Sequence, residues 1–335
     1  MIGKLVFEDK TQFEGESFGT QKSVAGEVVF TTGMVGYPES LTDPSYLGQI
    51  LVLTYPIVGN YGVPDPKFFE SNGIKVSGLI VSNYIDTPSH FQSKMTLSQW
   101  LKKENIPALE IKDTRFLAQK IRKQGAMLGK IIIDKEVPFY DPNIENIVAQ
   151  VSTKKIIEEG SGRKTVVLLD CGVKRSIKKE ILKRNVRLIT VPWNYDVFKK
   201  NLKFDAMIVS NGPGEPKMLK ETVAIAKKAL ENKIPFFGIC MGNHILGLAS
   251  GGDTYKLKFG HRSQNQPCLM NGSSRCYITV QNHGFAVRDI QKGFKPWFTN
   301  ANDGTNEGII HEKLPFMSVQ FHPEANPGPS DTEWI

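Results

Sequence analysis

Residues 236–252 read FFGICMGNHILGLASGG. A short apolar run, IPFFGIC at 234–240, passes directly into the helix-like pattern NHILGLAS at 243–250, with Cys240 set between Gly238 and Gly242 at the junction. A buried strand that bends sharply into a helix is the repeating unit of parallel sheets covered on both faces. Such sheets place their sites at the carboxyl ends of the strands.

The surrounding chain repeats the unit. TVVLLD (165–170), VRLITVPW (186–193) and DAMIVS (205–210) read as strands, and KRSIKKEILKRN (174–185) and MLKETVAIAKKALEN (218–232) as helices. Three strand ends are therefore singled out: Cys171, the NGPGEP loop at 211–216, and Cys240. After Gly251 the chain returns to strand-like runs, DTYKLKF, CYITVQNHGFAV and PFMSVQFH.

Upstream the rhythm differs. KLVFED, GEVVFTTG, QILVLTYP, KVSGLIVSNY and MLGKIII are short strand-like runs punctuated by Gly, Pro, Asn and Asp, and only LSQWLKKEN and TRFLAQKIRKQ read as helices. From Asp141 to Lys164 the chain is polar and ends in EEGSGRK, a linker composition. The expected organisation is a β-rich domain over 1–150, a linker over 151–164, and an α/β domain over 165–335 with a mostly parallel central sheet flanked by helices.

A chain of 335 residues with 40% apolar content is long enough for two cores. No uninterrupted apolar run reaches membrane-spanning length, and MIGKLVFEDKTQ has the features of neither a secretion signal nor a transit peptide, so a cytoplasmic location is expected. Cys171, Cys240, Cys268 and Cys276 form neither a disulfide framework nor a zinc spacing. Residues 1–150 carry 15 basic and 17 acidic side chains and the remainder 27 and 17, so the net charge of +8 belongs to the second domain. Its densest segment, KRSIKKEILKR at 174–184, is expected to be a solvated helix face or a docking surface for an acidic partner. Zinc-finger spacing, aromatic interleaving and RNP-type motifs are missing, which argues against nucleic acid.

Gly238-Ile239-Cys240-Met241-Gly242 has the G-x-nucleophile-x-G form of a nucleophile elbow, in which a strained turn lifts the side chain off the sheet and glycines let backbone pass beneath it. The start of a helix favours a thiolate there. QFHPEA at 320–325 places His322 and Glu324 two residues apart, on one side of an extended chain, as a base and the carboxylate that orients it. In Asn211-Gly212-Pro213-Gly214-Glu215-Pro216 the N–H of Gly214, together with that of Met241, is a candidate oxyanion hole. QNHGFAV at 281–287 offers a polar rim for a small substrate, with His283 structural rather than catalytic.

Together these segments resemble the triad-type (class I) glutamine amidotransferases: FGICMG the nucleophile motif, NGPGEP the oxyanion loop, and QFHPEANPGPSD the His/Glu motif. GEVVFTTGMVGYPESLTDPSYLGQILVLTYPIVGNYG (26–62), DTRFLAQKIRKQGAMLGK, GHRSQNQPC and QNHGFAV narrow the similarity to the glutamine-hydrolysing small subunit, or fused N-terminal region, of carbamoyl-phosphate synthetase. The resemblance implies hydrolysis of glutamine to glutamate and ammonia by Cys240, His322 and Glu324. It further implies glutamine binding by Ser45, Gly212, Gly214, Met241, His244, Asn282, Gly284 and Phe285, and no metal in the site. The ammonia would pass to a synthetase, as a large subunit or as fused domains, that uses ATP, Mg and bicarbonate in pyrimidine or arginine biosynthesis. No cofactor is expected in this chain: GAMLGKI lacks Walker A spacing, which assigns the ATP chemistry to a partner or to sequence beyond Ile335. A closing helix after SDTEW is likewise expected beyond that residue. Most relatives carry His-Gln where this chain has Asn243-His244, which predicts an altered glutamine affinity. The rival readings are a non-catalytic assembly or allosteric domain, and an amidotransferase that serves a different ammonia acceptor.

Overall fold

Short runs of alternating burial need partners on both sides, and residues 1–143 satisfy them by closing on themselves. The computed structural model describes residues 1–335 and divides them into two units, 1–143 and 144–335. In the first unit β1 (Ile2–Phe7), β2 (Gln12–Ser17), β3 (Val24–Thr31), β4 (Gln49–Leu53), β5 (Gly78–Val81), β6 (Ala108–Glu110) and β7 (Met127–Ile132) form a closed barrel in the order β1-β2-β6-β5-β4-β3-β7. Closure leaves no exposed strand edge. Val29, Leu51 and Leu79 pack with Leu97, Trp100 and Leu101 in its core.

Three helices belong to this unit: α1 (Tyr37–Thr42), α2 (Leu97–Lys103) and α3 (Thr114–Gln124). A Thr96/Gln99 capping box starts α2, and the Asp113 carboxylate, accepting from the Phe116 N–H, starts α3. In α3 Thr114, Leu117, Ala118 and Ile121 are buried at helical spacing, while Phe116 lies on the exposed side.

The second unit contains α4 (Val148–Val151), β8 (Ile157–Glu159), β9 (Lys164–Asp170), α5 (Arg175–Lys183), β10 (Val186–Pro192), β11 (Ala206–Val209), α6 (Lys220–Glu231), β12 (Phe236–Ile239) and α7 (Met241–Ala249). Five strands follow: β13 (Asp253–Met270), β14 (Cys276–Arg288), β15 (Phe294–Asn300), β16 (Asn306–His311) and β17 (Phe316–Val319). They make one ten-stranded sheet in the order β14-β13-β15-β16-β17-β12-β11-β9-β10-β8. β17, β12, β11, β9 and β10 run parallel, and the flanking strands are antiparallel. The parallel strands carry the apolar runs because helices cover them; Val167, Leu169, Met207 and Val209 pack against Ile225, Ala226 and Ile245.

Two sequence expectations change. The unit boundary falls at 143/144 rather than near 150, and the segment 151–164, expected to be a linker, contains β8, which pairs antiparallel with β10. Its polar composition is that of an exposed edge strand: Glu158 pairs with Arg187 at 2.6 Å and Glu159 with Lys178.

At the sheet's centre the glycines around Cys240 are fixed by contact. A Cβ on Gly242 would lie 2.2 Å from the Val209 carbonyl oxygen, and one on Gly238 2.3 Å from that of Gly242. Gly242→Ala is therefore expected to destabilise the second unit by about 1–3 kcal/mol, the usual cost of overpacking. Urea denaturation followed by tryptophan fluorescence measures this, and an unchanged midpoint would contradict the packing described.

Candidate active site

Cys240 occupies the bend between β12 and α7 with φ 54° and ψ −98°, a left-handed backbone that a non-glycine residue adopts only when its surroundings enforce it. The enforcement is visible on both sides. The Cys240 N–H donates to the Val319 carbonyl of β17 at 2.8 Å, and the Gly242 N–H donates to the Ser210 carbonyl after β11 at 3.1 Å. The bend is thus tied to both neighbouring parallel strands, whose registers pair Val209 with Gly238 and Ile239 with Val319. That alignment puts the NGPGEP loop and the QFHPEA segment on either side of the cysteine.

The thiol itself is buried. Ile177, Ile181 and Ile239 pack in the same apolar cluster, while Sγ faces the Asn282 carbonyl oxygen at 3.7 Å. The interior around it is not uniformly apolar, because the chain leaving β17 brings in His322. The His322 N–H donates to the Val280 carbonyl, and Nδ1 lies 2.8 Å from Glu324 Oε1. Nε2 has no hydrogen-bond partner of its own, and the Cys240 thiol is near enough to favour its protonation.

Glu324 in turn accepts from Lys174 Nζ at 2.7 Å, and Lys174 also donates to the Asn326 carbonyl at 2.5 Å. All three side chains are buried. Burial disfavours the His322 imidazolium, but the Glu324 carboxylate and the Cys240 thiol outweigh it, and the imidazole is raised above its ordinary value. Burial likewise disfavours the Glu324 carboxylate; Lys174 first and His322 second overcome this and hold it well below the usual carboxylate range. Folding lowers the Glu324 pKa, so the pairing contributes stability above its ordinary value of 4.5 and loses it as the pH falls through the folded value.

Lys174 corrects a sequence expectation. It opens the basic run read as a solvated helix face, yet it is buried beneath the His/Glu pair, while Arg175, Lys179, Lys183 and Arg184 are exposed. Its place four residues past the end of β9, at the carboxyl edge of the sheet, was the signal available in the sequence. Asn243, noted in the sequence only as a departure from most relatives, has a structural role. Its Nδ2 donates to Gln320 Oε1 at 2.9 Å and its Oδ1 accepts from Ser318 Oγ at 2.8 Å, which ties the cysteine's helix to the strand leading to His322.

The remaining candidates divide by location. Gly212 and Gly214 lie in the loop after β11, beside the bend, and the Gly214 and Met241 N–H groups donate to no backbone carbonyl. Asn282, Gly284 and Phe285 lie on β14, reached from Cys240 through the Asn282 carbonyl. His244 is buried and neutral, its pKa lowered by burial to about 4. Nε2 lies 3.0 Å from the Phe285 carbonyl, so its single N–H is committed there and not to a ligand. His283 is buried with Nδ1 2.7 Å from the same carbonyl, the structural position expected for it. Ser45 belongs to the first unit, buried in a turn at Pro44–Tyr46 where its N–H donates to the Asp43 carboxylate at 2.9 Å.

The family model Glutamine amidotransferase class-I matches residues 167–335. The chain belongs to the class-I glutamine amidotransferase family. In this amidotransferase, residues 5–131 match a second family, Carbamoyl-phosphate synthase small chain, CPSase domain. It is 46% identical over 378 residues to the multifunctional protein URA2 of Saccharomyces cerevisiae, which covers 99% of this chain and 17% of that one. Against carbamoyl-phosphate synthase (ammonia), mitochondrial, of Homo sapiens it is 47% identical over 345 residues, covering 99% and 23%. Against the multifunctional protein CAD of Squalus acanthias it is 47% identical over 347 residues, covering 98% and 15%. The chain spans less than a quarter of the length of each. No helix is long and apolar enough to cross a membrane.

The amidotransferase unit thus carries a strained thiol, an imidazole with one nitrogen available, and a buried carboxylate and ammonium behind it. Lys174→Met would leave Glu324 without its strongest counter-charge. The expected result is a loss of about 3–5 kcal/mol, as for other broken buried pairs, read as a lower urea midpoint; a midpoint within error of the parent would contradict the pairing.

Proposed function

We propose that this chain hydrolyses glutamine to glutamate and ammonia through a Cys240 thioester and supplies the ammonia to the synthetase portion of a carbamoyl-phosphate synthetase, fused or separate. The observation that carries the reading is the Lys174–Glu324–His322 chain of contacts, which ends in an imidazole nitrogen without a partner beside the only cysteine held in a strained strand-to-helix bend.

The Cys240 sulfur attacks the side-chain amide carbon, and the developing oxyanion is held by the Gly214 and Met241 N–H groups. The C–N bond breaks as the His322 imidazolium delivers its proton to the departing nitrogen, releasing ammonia. The neutral imidazole then takes a proton from water, whose oxygen attacks the thioester; the C–S bond breaks, freeing glutamate and the thiolate. Glu324 keeps the ring in the productive tautomer and Lys174 keeps Glu324 ionised. Gly212, Asn282, Gly284 and Phe285 line the substrate. His244 touches glutamine less directly than a glutamine side chain would, because its N–H is engaged by Phe285. ATP, Mg and bicarbonate are used by the synthetase, whose carbamoyl phosphate serves pyrimidine or arginine synthesis in the cytoplasm.

A second reading, a non-catalytic assembly or allosteric domain, draws on the Asn243-His244 departure and on the similarity to a relative whose name specifies ammonia. Incubation with the electrophilic glutamine analogue 6-diazo-5-oxo-norleucine separates the two. Stoichiometric modification of Cys240, glutamine protection, and loss of labelling and glutaminase turnover in His322→Asn are expected. An unlabelled Cys240 in folded protein would favour the non-catalytic reading.

A further inference from the structure

Three strands of the second unit converge on a buried group of imidazole, carboxylate and amide side chains. His261 of β13, His283 of β14 and Glu307 of β16 are buried, and one ligand atom of each lies within 4.8 Å of the others. Proton placement is fixed by the neighbours. His283 Nδ1 lies 2.7 Å from the Phe285 carbonyl oxygen and must carry a hydrogen, so in the neutral ring Nε2 is a lone pair. Nε2 faces Gln281 Oε1 at 3.0 Å and Glu307 Oε2 at 4.0 Å.

The Gln281 amide is oriented by Thr279, whose hydroxyl donates to the Gln266 carbonyl and therefore accepts from Gln281 Nε2 at 3.0 Å. Turning the amide over would set its oxygen against that hydroxyl oxygen. Glu307 Oε2 is buried with no hydrogen-bond partner, although Oε1 accepts from Asn300 Nδ2 at 3.0 Å and lies 3.2 Å from His261 Nδ1. His283 Nε2 thus has two acceptor oxygens before it, Gln281 Oε1 and Glu307 Oε2.

We propose that His261 Nδ1, His283 Nε2 and a Glu307 carboxylate oxygen bind one divalent transition-metal ion of the zinc class, with Gln281 Oε1 as the fourth ligand. Two imidazoles and a carboxylate are a donor set suited to that class. Adjacent ligand atoms in a tetrahedral site lie about 3.3 Å apart; His261 Nδ1 to Glu307 Oε1 is 3.2 Å and His283 Nε2 to Gln281 Oε1 is 3.0 Å, whereas His283 Nε2 to Glu307 Oε2 is 4.0 Å and must shorten as the ion binds. The outer contacts fit as well. His261 Nε2 meets the Asp303 carboxylate at 2.9 Å and His283 Nδ1 the Phe285 carbonyl, the partners that fix the tautomers of ligating histidines.

Asp303 lies on a turn with its carboxylate partly exposed, which gives the ion a route in. Loading displaces the His261 Nδ1 proton to solvent and leaves the carboxylates ionised. The ion would cross-link β13, β14 and β16 and so stiffen the strand that carries Asn282, Gly284 and Phe285.

Metal-stripped protein titrated with Co²⁺ tests the site through the visible ligand-field absorption of the tetrahedral ion. One equivalent is expected to give these bands, Zn²⁺ to abolish them by displacement, and His261→Asn or Glu307→Gln to weaken binding at least about ten-fold. Cys240→Ser should bind as the parent does, since the thiol is no part of the donor set. Thermal melts of the two ligand variants establish that they are folded. Absence of the bands, bands lost in Cys240→Ser but kept in folded His261→Asn, or a His283 imidazolium in ¹⁵N spectra unchanged by Zn²⁺ would each overturn the proposal.

Discussion

The second unit is organised around a bend that the chain would not adopt alone. Cys240 holds a left-handed backbone because the Val319 carbonyl of β17 takes its own N–H and the Ser210 carbonyl after β11 takes that of Gly242. Two glycines make room where backbone passes within van der Waals distance. Sheet formation, helix initiation and presentation of the thiol are therefore one event: a register error in β12 would lose all three.

Burial sets the electrostatics of the site. An isolated histidine or carboxylate at this depth would be driven to its neutral form, so each charge is sustained by the next. Lys174 sustains Glu324, Glu324 sustains protonated His322, and the open Nε2 is left at the end of the series. Such a chain is a poor stabiliser compared with apolar packing, but it holds a proton donor ready in a place from which water is largely excluded. The Asn243 bridge to Ser318 and Gln320 holds the two elements of the site in register by hydrogen bonds.

Much of this was legible in the sequence because it is local. The parallel strands announce themselves as apolar runs, the elbow as glycines around a cysteine, and the His/Glu pair as an i, i+2 spacing, although the strand ends at Val319 and the pair sits in the turn after it. What was hidden depends on distant partners. Barrel closure rests on β1 pairing with β7, more than a hundred residues away. Edge strand β8 resembled a linker because its charges face solvent, and Lys174 resembled a surface lysine because its counter-ion lies 150 residues downstream. The long hairpin β13–β14 was broken in the sequence reading by Gly260 and the polar run after it, where the ladder itself is irregular.

The most direct test of the account is the protonation of His322, followed by ¹⁵N NMR of the imidazole as pH is raised, in the parent chain and in Glu324→Gln. A ring that remains protonated above its ordinary value near 6.5 in the parent and loses its proton at markedly lower pH in the variant is the predicted result. An imidazole that titrates alike in both, at or below that ordinary value, would mean that the buried carboxylate does not sustain it, and the proposed proton donor would be lost.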